Sequence, residues 1–181
     1  MSNLIVAKRY AAALFEIAKE KNILEQMSEE ARVINTVFST NQEFISFLKH
    51  PKVSFEKKQQ MIMETFQSVS VELKNTLLLM IERHRIQEIA DMALEFVELT
   101  NEENAIAEAK VYTTRPLTEA EHDAISSVFA AKVGKKSLRI ENIVDRDIIG
   151  GIKLRIGNRI FDGTISGKLS RLERQLLTQQ S

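Results

Sequence analysis

Apolar residues recur every three to four positions through the first hundred residues, which is the period of amphipathic α-helices. This pattern predicts six helices: four over about 4–21, 24–38, 71–83 and 86–100, and two shorter ones through Leu48 and Phe66. Asn41 stands where a helix N-cap is expected. Pro51 ends the third helix, because the residue before a proline avoids the α region. Short connections between these helices predict an antiparallel bundle.

From residue 105 the pattern changes to one of strands and turns. Residues 105–112 alternate between polar and apolar positions, which predicts a strand. The helix that follows is predicted to begin with a capping box at Thr118 and Glu121 and to end at Gly134. Two more strands are predicted over about 138–144 and 152–156, and Gly157-Asn158 predicts a hairpin turn.

The last predicted helix has apolar residues at positions i, i+4, i+7 and i+11, which is typical of a helix that packs by one face. These residues are Ile165, Leu169, Leu172 and Leu176.

The positions of the glycines support the same division of the chain into two parts. All six lie after residue 133, at positions 134, 150, 151, 157, 163 and 167. Glycine costs about 1 kcal/mol relative to alanine inside a helix, whereas tight turns need it. We therefore predict a mostly α six-helix bundle over residues 1–105 and a small α+β domain over residues 106–181. Gly150 and Gly151 predict a turn that a residue with a Cβ atom does not make.

The charge differs between the two parts although it balances overall. The 25 Lys and Arg residues match the 25 Asp and Glu residues. Residues 1–105 hold 12 basic and 16 acidic side chains, and residues 106–181 hold 13 basic and 9 acidic ones. Neither excess is large enough to predict nucleic-acid binding. Because no stretch approaches the roughly 20 apolar residues that span a bilayer, we expect membrane association only through partners.

No catalytic, cofactor or metal site is predicted. The chain has no cysteine, which excludes a thiolate metal site and a cysteine nucleophile. Gly163 to Lys168 resembles a phosphate-binding loop, but three residues separate its glycines instead of four, so we interpret it as a turn into the last helix. The three histidines lack metal-ligand spacing. Asp145 and Asp147 are better interpreted as turn-forming residues than as an acid–base pair.

Two helices carry more apolar surface than one core-facing stripe needs. On the first helix, Ala7, Ala11, Leu14, Phe15 and Ala18 form one apolar sector, and Val6, Tyr10, Ala13 and Ile17 form a second. On the fifth helix, Leu79 stands opposite the face formed by Leu73, Leu77, Leu78, Met80 and Ile81. This surplus predicts a groove that takes up a helix from another chain. The alternative is that both helices lie wholly buried at the centre of the bundle.

Three segments resemble a known family. The first is Val-Ala-Lys-Arg-Tyr-Ala-Ala-Ala-Leu-Phe (6–15), and the second is Asn-Thr-Leu-Leu-Leu-Met-Ile-Glu-Arg-His-Arg (75–85). The third covers residues 138–165 and includes Ile-Val-Asp-Arg-Asp-Ile-Ile-Gly-Gly-Ile-Lys-Leu-Arg-Ile-Gly at 143–157. They are similar to the delta subunit of bacterial F-type ATP synthase. Its mitochondrial counterpart is the oligomycin-sensitivity-conferring protein. The resemblance covers nearly the whole chain, although Thr164 and Gly167 replace the family's usual residues.

The resemblance implies a non-catalytic subunit on top of the catalytic head, at the end of the peripheral stalk. In that family a six-helix N-terminal domain binds N-terminal helices of the alpha subunits through its first and fifth helices, and the C-terminal domain binds the b subunits. The subunit holds the head against rotor torque during proton-driven ATP synthesis. The location implied is the cytoplasmic face of the cell membrane, reached through partners, with one copy in each complex and no cofactor.

The family role assigns two sets of residues to partners. The alpha-subunit helix is expected on Val6, Tyr10, Ala13, Ile17, Leu79 and Arg83. The basic residues Lys168, Arg171 and Arg174 of the last helix are candidates for contact with acidic residues of the b subunits, or equally a solvated helix face. The alternative function is a helical adaptor or nucleic-acid-binding protein unrelated to ATP synthase.

Overall fold

The computed structural model describes the backbone of residues 3–178 and the side chains of residues 4–176. In the N-terminal part it contains α1 (Asn3–Glu20), α2 (Leu24–Thr40), α3 (Gln42–Lys49), α4 (Phe55–Thr65), α5 (Val71–Glu82), a 3-10 turn (Ile86–Glu88) and α6 (Ile89–Glu103). Then follow β1 (Ile106–Thr113), α7 (Glu119–Val133), β2 (Ser137–Val144), β3 (Lys153–Ile156), β4 (Arg159–Asp162) and α8 (Ile165–Thr178). The helical N-terminal region and the α+β C-terminal region agree with the predicted fold class.

The chain separates into two compact units, Met1–Asn101 and Glu102–Ser181. The sequence predicted the division four residues later, between residues 105 and 106. No helix among the described residues is both long and apolar enough to cross a membrane.

The N-terminal unit is organised around one continuous apolar core. The sector of α1 predicted to face inward is buried, with Ala7, Ala11 and Ala18 fully inaccessible. Phe38 stacks on Phe66 with ring centroids 6.2 Å apart, and Phe44 meets Phe38 edge-on at 5.4 Å. These aromatic contacts join α2, α3 and the end of α4, which fixes the part of the bundle behind α1 and α5.

Helix ends in both units follow the local signals in the sequence. The Asn41 side chain accepts a hydrogen bond from the Phe44 N–H at 3.0 Å, which caps α3. The predicted capping box is present at the start of α7: the Thr118 N–H donates to the Glu121 carboxylate at 2.9 Å, and the Glu121 N–H donates back to the Thr118 hydroxyl. Gly134 ends α7 in the left-handed conformation at φ 70°.

The C-terminal unit is a four-stranded sheet in the order β2-β1-β3-β4. β1 and β2 are parallel and connected through α7, whereas β3 pairs antiparallel with both β1 and β4. α7 covers one sheet face, where Val111 and Leu154 are buried with Ile125. Phe129 of α7 and Phe161 of β4 complete this core with ring centroids 5.2 Å apart.

Candidate partner-binding surfaces

A groove of about 360 Å³ runs between α1 and α5 on the surface of the N-terminal unit. It is lined by Val6, Arg9, Tyr10, Ala13, Leu14, Ile17, Thr76, Leu79 and Arg85. Four of these, at 6, 10, 13 and 17, follow the i, i+4, i+7, i+11 spacing that keeps side chains on one helical stripe. The second apolar sector of α1 therefore lies along this groove, whereas the first faces the core.

The groove residues are accessible. Ile17 and Leu79 are each 42% exposed, Val6 and Tyr10 are half-buried, and Ala13 is exposed. The alternative of two wholly buried central helices is therefore wrong for α1 and α5. Because Ala13 carries only a methyl group, the groove has room at its midpoint for a side chain from outside.

Arg83, predicted at this surface, does not line the groove, and Arg85 lies there instead. Arg85 reaches the groove because of the way α5 ends. His84 has φ 56°, so the chain turns out of the helix before Arg85, and the Arg85 N–H donates to the Met80 carbonyl at 2.8 Å. A helical wheel continued past Arg83 therefore misplaces Arg85.

In the C-terminal unit, a turn holds the start of α8. The Thr164 hydroxyl donates to Asp162 Oδ1 at 2.6 Å and accepts from the Gly167 N–H at 3.1 Å, so Thr164 caps the helix. These bonds from the hydroxyl and N–H of Thr164 hold the pKa of Asp162 below its ordinary value. Arg171 donates to the Asp162 carbonyl at 3.1 Å, one turn further along. The segment that resembled a phosphate-binding loop is this capped turn.

The paired glycines lie against the same turn, and they differ in what they require. Gly151 has φ 87°, and a Cβ atom there would stand 2.4 Å from the Gly163 carbonyl oxygen. Gly150 has no positive φ, and a Cβ atom would meet only the flexible end of Ile165 at 2.8 Å. The backbone requirement for glycine therefore belongs to Gly151. Because the Ile165 N–H donates to the Gly150 carbonyl at 3.0 Å, this bend fastens α8 to the sheet.

The apolar stripe of α8 is largely exposed, although Ile165 lies against Gly150. Ile165, Leu169, Leu172 and Leu176 are 47%, 60%, 55% and 64% exposed. Their spacing indicated a packed face, and the described residues leave most of that face uncovered. We call these four residues the α8 stripe.

The predicted basic residues of α8 are all exposed, and two of them make local contacts. Arg171 bonds to the Asp162 carbonyl, and the Arg174 Nε donates to the Ser170 carbonyl at 3.3 Å. Lys168 belongs to the same exposed helix. The sequence predicted a partner contact for these three charges. It predicted none for the α8 stripe.

The described residues offer little for catalysis. The Asp147 N–H donates to Asp145 Oδ1 at 3.0 Å, which is the Asx turn predicted for this pair. Within the described part of the chain, no three His, Asp or Glu side chains come together as metal ligands.

The comparison with known proteins identifies the family. Residues 6–176 match the family model for the ATP synthase delta (OSCP) subunit. The chain belongs to this family. The ATP synthase subunit delta of Geobacillus sp. (strain WCH70) is 56% identical over 177 residues, covering 98% of this chain and 99% of that protein. That of Anoxybacillus flavithermus is 53% identical over 176 residues, covering 97% and 99%.

A solved structure shares the fold. A chain of the Toxoplasma gondii mitochondrial ATP synthase hexamer superposes with a TM-score of 0.63 at 21% identity, covering 94% of this chain and 97% of that one. As a member of the family, the chain is a structural stator component of the peripheral stalk of an ATP synthase and not a catalytic subunit. This assignment replaces the alternative of an unrelated adaptor or nucleic-acid-binding protein.

Proposed function

We propose that the chain connects the catalytic head of the ATP synthase to the b subunits, with one contact in each unit. Residues 1–105 act as a six-helix bundle that takes the N-terminal helix of an alpha subunit into the groove between α1 and α5. Residues 106–181 bind the b subunits. One copy per complex then holds the head still against rotor torque while proton flow drives ATP synthesis.

The accessible apolar groove is the observation that carries the proposal. Its stripe from Val6 to Ile17 extends over eleven residue steps, which is about 16 Å of helix at 1.5 Å per residue. An amphipathic partner helix of about three turns matches that length. Recognition of this kind buries the apolar face of the partner between two helices of the receptor.

The α8 stripe supports the second contact. Its spacing alternates four and three residues, which is the seam of a two-helix coiled coil. Such a seam is unstable when exposed and is completed by another helix. We assign that helix to the b subunits, with Lys168, Arg171 and Arg174 beside the seam to meet acidic side chains.

The location follows from the partners. The chain reaches the cytoplasmic face of the cell membrane through the b subunits and the head, and it takes up no cofactor in this role.

The test is reconstitution with the purified full chain, alpha-containing head and the soluble part of the b subunits. We expect the chain to co-purify with each partner separately and to bridge them when all are present. A synthetic peptide of the alpha N-terminal helix should displace the head and leave the b complex intact. Loss of both partners to the same competitor would contradict the two-contact model.

A further inference from the structure

The groove between α1 and α5 is charged at one end. We infer that it selects an acidic amphipathic helix and fixes the direction of that helix through Arg9 and Arg85. The inference rests on the proposed function and adds what the partner helix must carry and which way it lies.

The groove lining contains two arginines and no carboxylate. This composition contrasts with the surrounding part of the chain, because residues 1–105 hold 16 acidic and 12 basic side chains. A local basic site on an acidic unit selects for a ligand of negative charge, since other surfaces of the unit repel that ligand.

Both arginines lack an ion-pair partner within the described residues. Two other cations of the unit are paired: Lys8 lies 3.5 Å from Glu95, and Lys21 bonds to Glu72. On α1 the positions three and four residues from Arg9 are apolar, namely Ile5, Val6, Ala12 and Ala13. No carboxylate of its own helix is therefore spaced to pair with Arg9.

The two arginines lie at the same end of the groove. Lys21, just after α1, bonds to Glu72 in the first turn of α5, so the C-terminal end of α1 meets the N-terminal end of α5. The helices are therefore antiparallel. Arg85 follows the end of α5 and lies beside the first half of α1, where Arg9 is.

The residues that line the opposite end of the groove, Ile17 and Thr76, carry no charge. Just beyond them, Lys21 and Glu72 form an ion pair. A helix whose carboxylates stand at one end of its apolar stripe gains two ion pairs in one direction and none in the reverse direction. Because Arg85 is half-buried and Arg9 is exposed, we assign the larger share of the selection to Arg85.

The first experiment measures affinity for the synthetic alpha N-terminal peptide by calorimetry with the full chain. We expect Arg85→Gln to weaken binding about fivefold and Arg9→Gln about threefold. Arg83→Gln is the matched control, because Arg83 is an exposed arginine two residues away that does not line the groove, and its affinity should stay unchanged. Raising NaCl from about 50 to 300 mM should weaken the wild-type complex more than the Arg9→Gln/Arg85→Gln double variant.

The second experiment reads direction. Two synthetic amphipathic peptides of about 18 residues share one leucine stripe, with glutamates only in the first turn of one and only in the last turn of the other. A spin label on the acidic end should broaden amide signals of Val6 and Tyr10 more strongly than those of Ile17 in both complexes.

The outcomes distinguish a failure of the proposed function from a failure of the selection by Arg9 and Arg85. If the alpha peptide does not bind at any salt concentration, the proposed function is wrong. If it binds but all three arginine variants and all salt concentrations give the same affinity, or either label broadens Ile17 more strongly than Val6, the function stands and the selection by Arg9 and Arg85 is overturned.

Discussion

The same apolar spacing on one helix of each unit has a different structural result. Residues 6, 10, 13 and 17 of α1 and residues 165, 169, 172 and 176 of α8 both follow steps of four, three and four. The α1 stripe lies in a groove against α5, whereas the α8 stripe stands on a single helix and its residues are 47% to 64% exposed. The N-terminal surface is preformed, and the C-terminal one needs a partner to complete it.

The difference arises because the two helices are held in their units by different contacts. α1 has a second apolar sector buried in the core, so its position is fixed by packing. α8 is held by the Thr164 cap, by the Arg171 bond to Asp162 and by the bend at Gly150 and Gly151, all near its first two turns. We therefore expect the groove to keep its shape when surface residues are changed. The position of α8 should depend instead on the contacts of its first two turns.

The largest effect is expected from Gly151→Ala. The added Cβ atom would stand 2.4 Å from a backbone oxygen at a positive φ, so the bend must move and the C-terminal unit should lose roughly 3 kcal/mol of unfolding free energy. Binding of the b subunits should fall and that of the alpha peptide should not. Gly157→Ala is the control, because φ is 55° there but the Cβ atom meets nothing within 4 Å. If both variants lose the same unfolding free energy in thermal unfolding, the positive φ and not the close Gly163 carbonyl accounts for the loss.

Next in size is Ala13→Asp, which places a carboxylate on the groove floor. We expect the alpha peptide to bind on the order of a hundredfold more weakly, because burying that charge under an apolar stripe is costly. Ala12→Asp makes the same change one residue away on an exposed position outside the groove. Circular dichroism should show equal helix content for both. Equal peptide affinity in calorimetry would remove α1 from the alpha contact.

A smaller effect is expected from Leu172→Glu in the α8 stripe. Since Leu172 is 55% exposed, the unfolding free energy should change by no more than about 0.5 kcal/mol. Binding of the b subunits should weaken about tenfold, because the seam loses an apolar residue at its centre. Ser170→Glu, on an exposed position off the stripe, should bind normally. If it weakens binding as much, charge rather than the stripe governs the contact.

The smallest effect concerns acid stability of the C-terminal unit. The Arg115 guanidinium, with the Thr118 N–H and hydroxyl, lowers the pKa of Glu121 from 4.5 to about 2. A carboxylate with a lowered pKa stabilises the fold above pH 4.5, and that contribution is lost as the pH falls toward 2. The melting temperature of wild type should therefore exceed that of Glu121→Gln at pH 6, with the gap closing between pH 4.5 and 2.

The sequence predicted the elements well because their signals are local. The Asn41 and Thr118 caps, Gly134 and the hairpin at Gly157 each depend on neighbouring residues, and all are present. The inward sector of α1 followed from helical periodicity alone, because a core-facing stripe repeats with the helix.

The sequence did not predict features that depend on where the chain turns out of a helix or on what covers an apolar face. Arg85 lies in the groove because His84 leaves the helix at a positive φ, which a continuous helical wheel ignores. The α8 stripe looked like a packed face because periodicity reports that a surface is apolar, and not whether its own chain covers it. Two adjacent glycines look alike in a sequence, whereas the φ of 87° and the close Gly163 carbonyl distinguish Gly151 from Gly150.

The central claim is that the two surfaces bind different partners independently. The most direct measurement is the affinity of full-length wild type, Ala13→Asp and Leu172→Glu for both the alpha peptide and the soluble b subunits. We predict that Ala13→Asp loses only the alpha peptide and Leu172→Glu weakens only the b subunits. Loss of the same partner in both variants, or of both partners in either, would contradict the account.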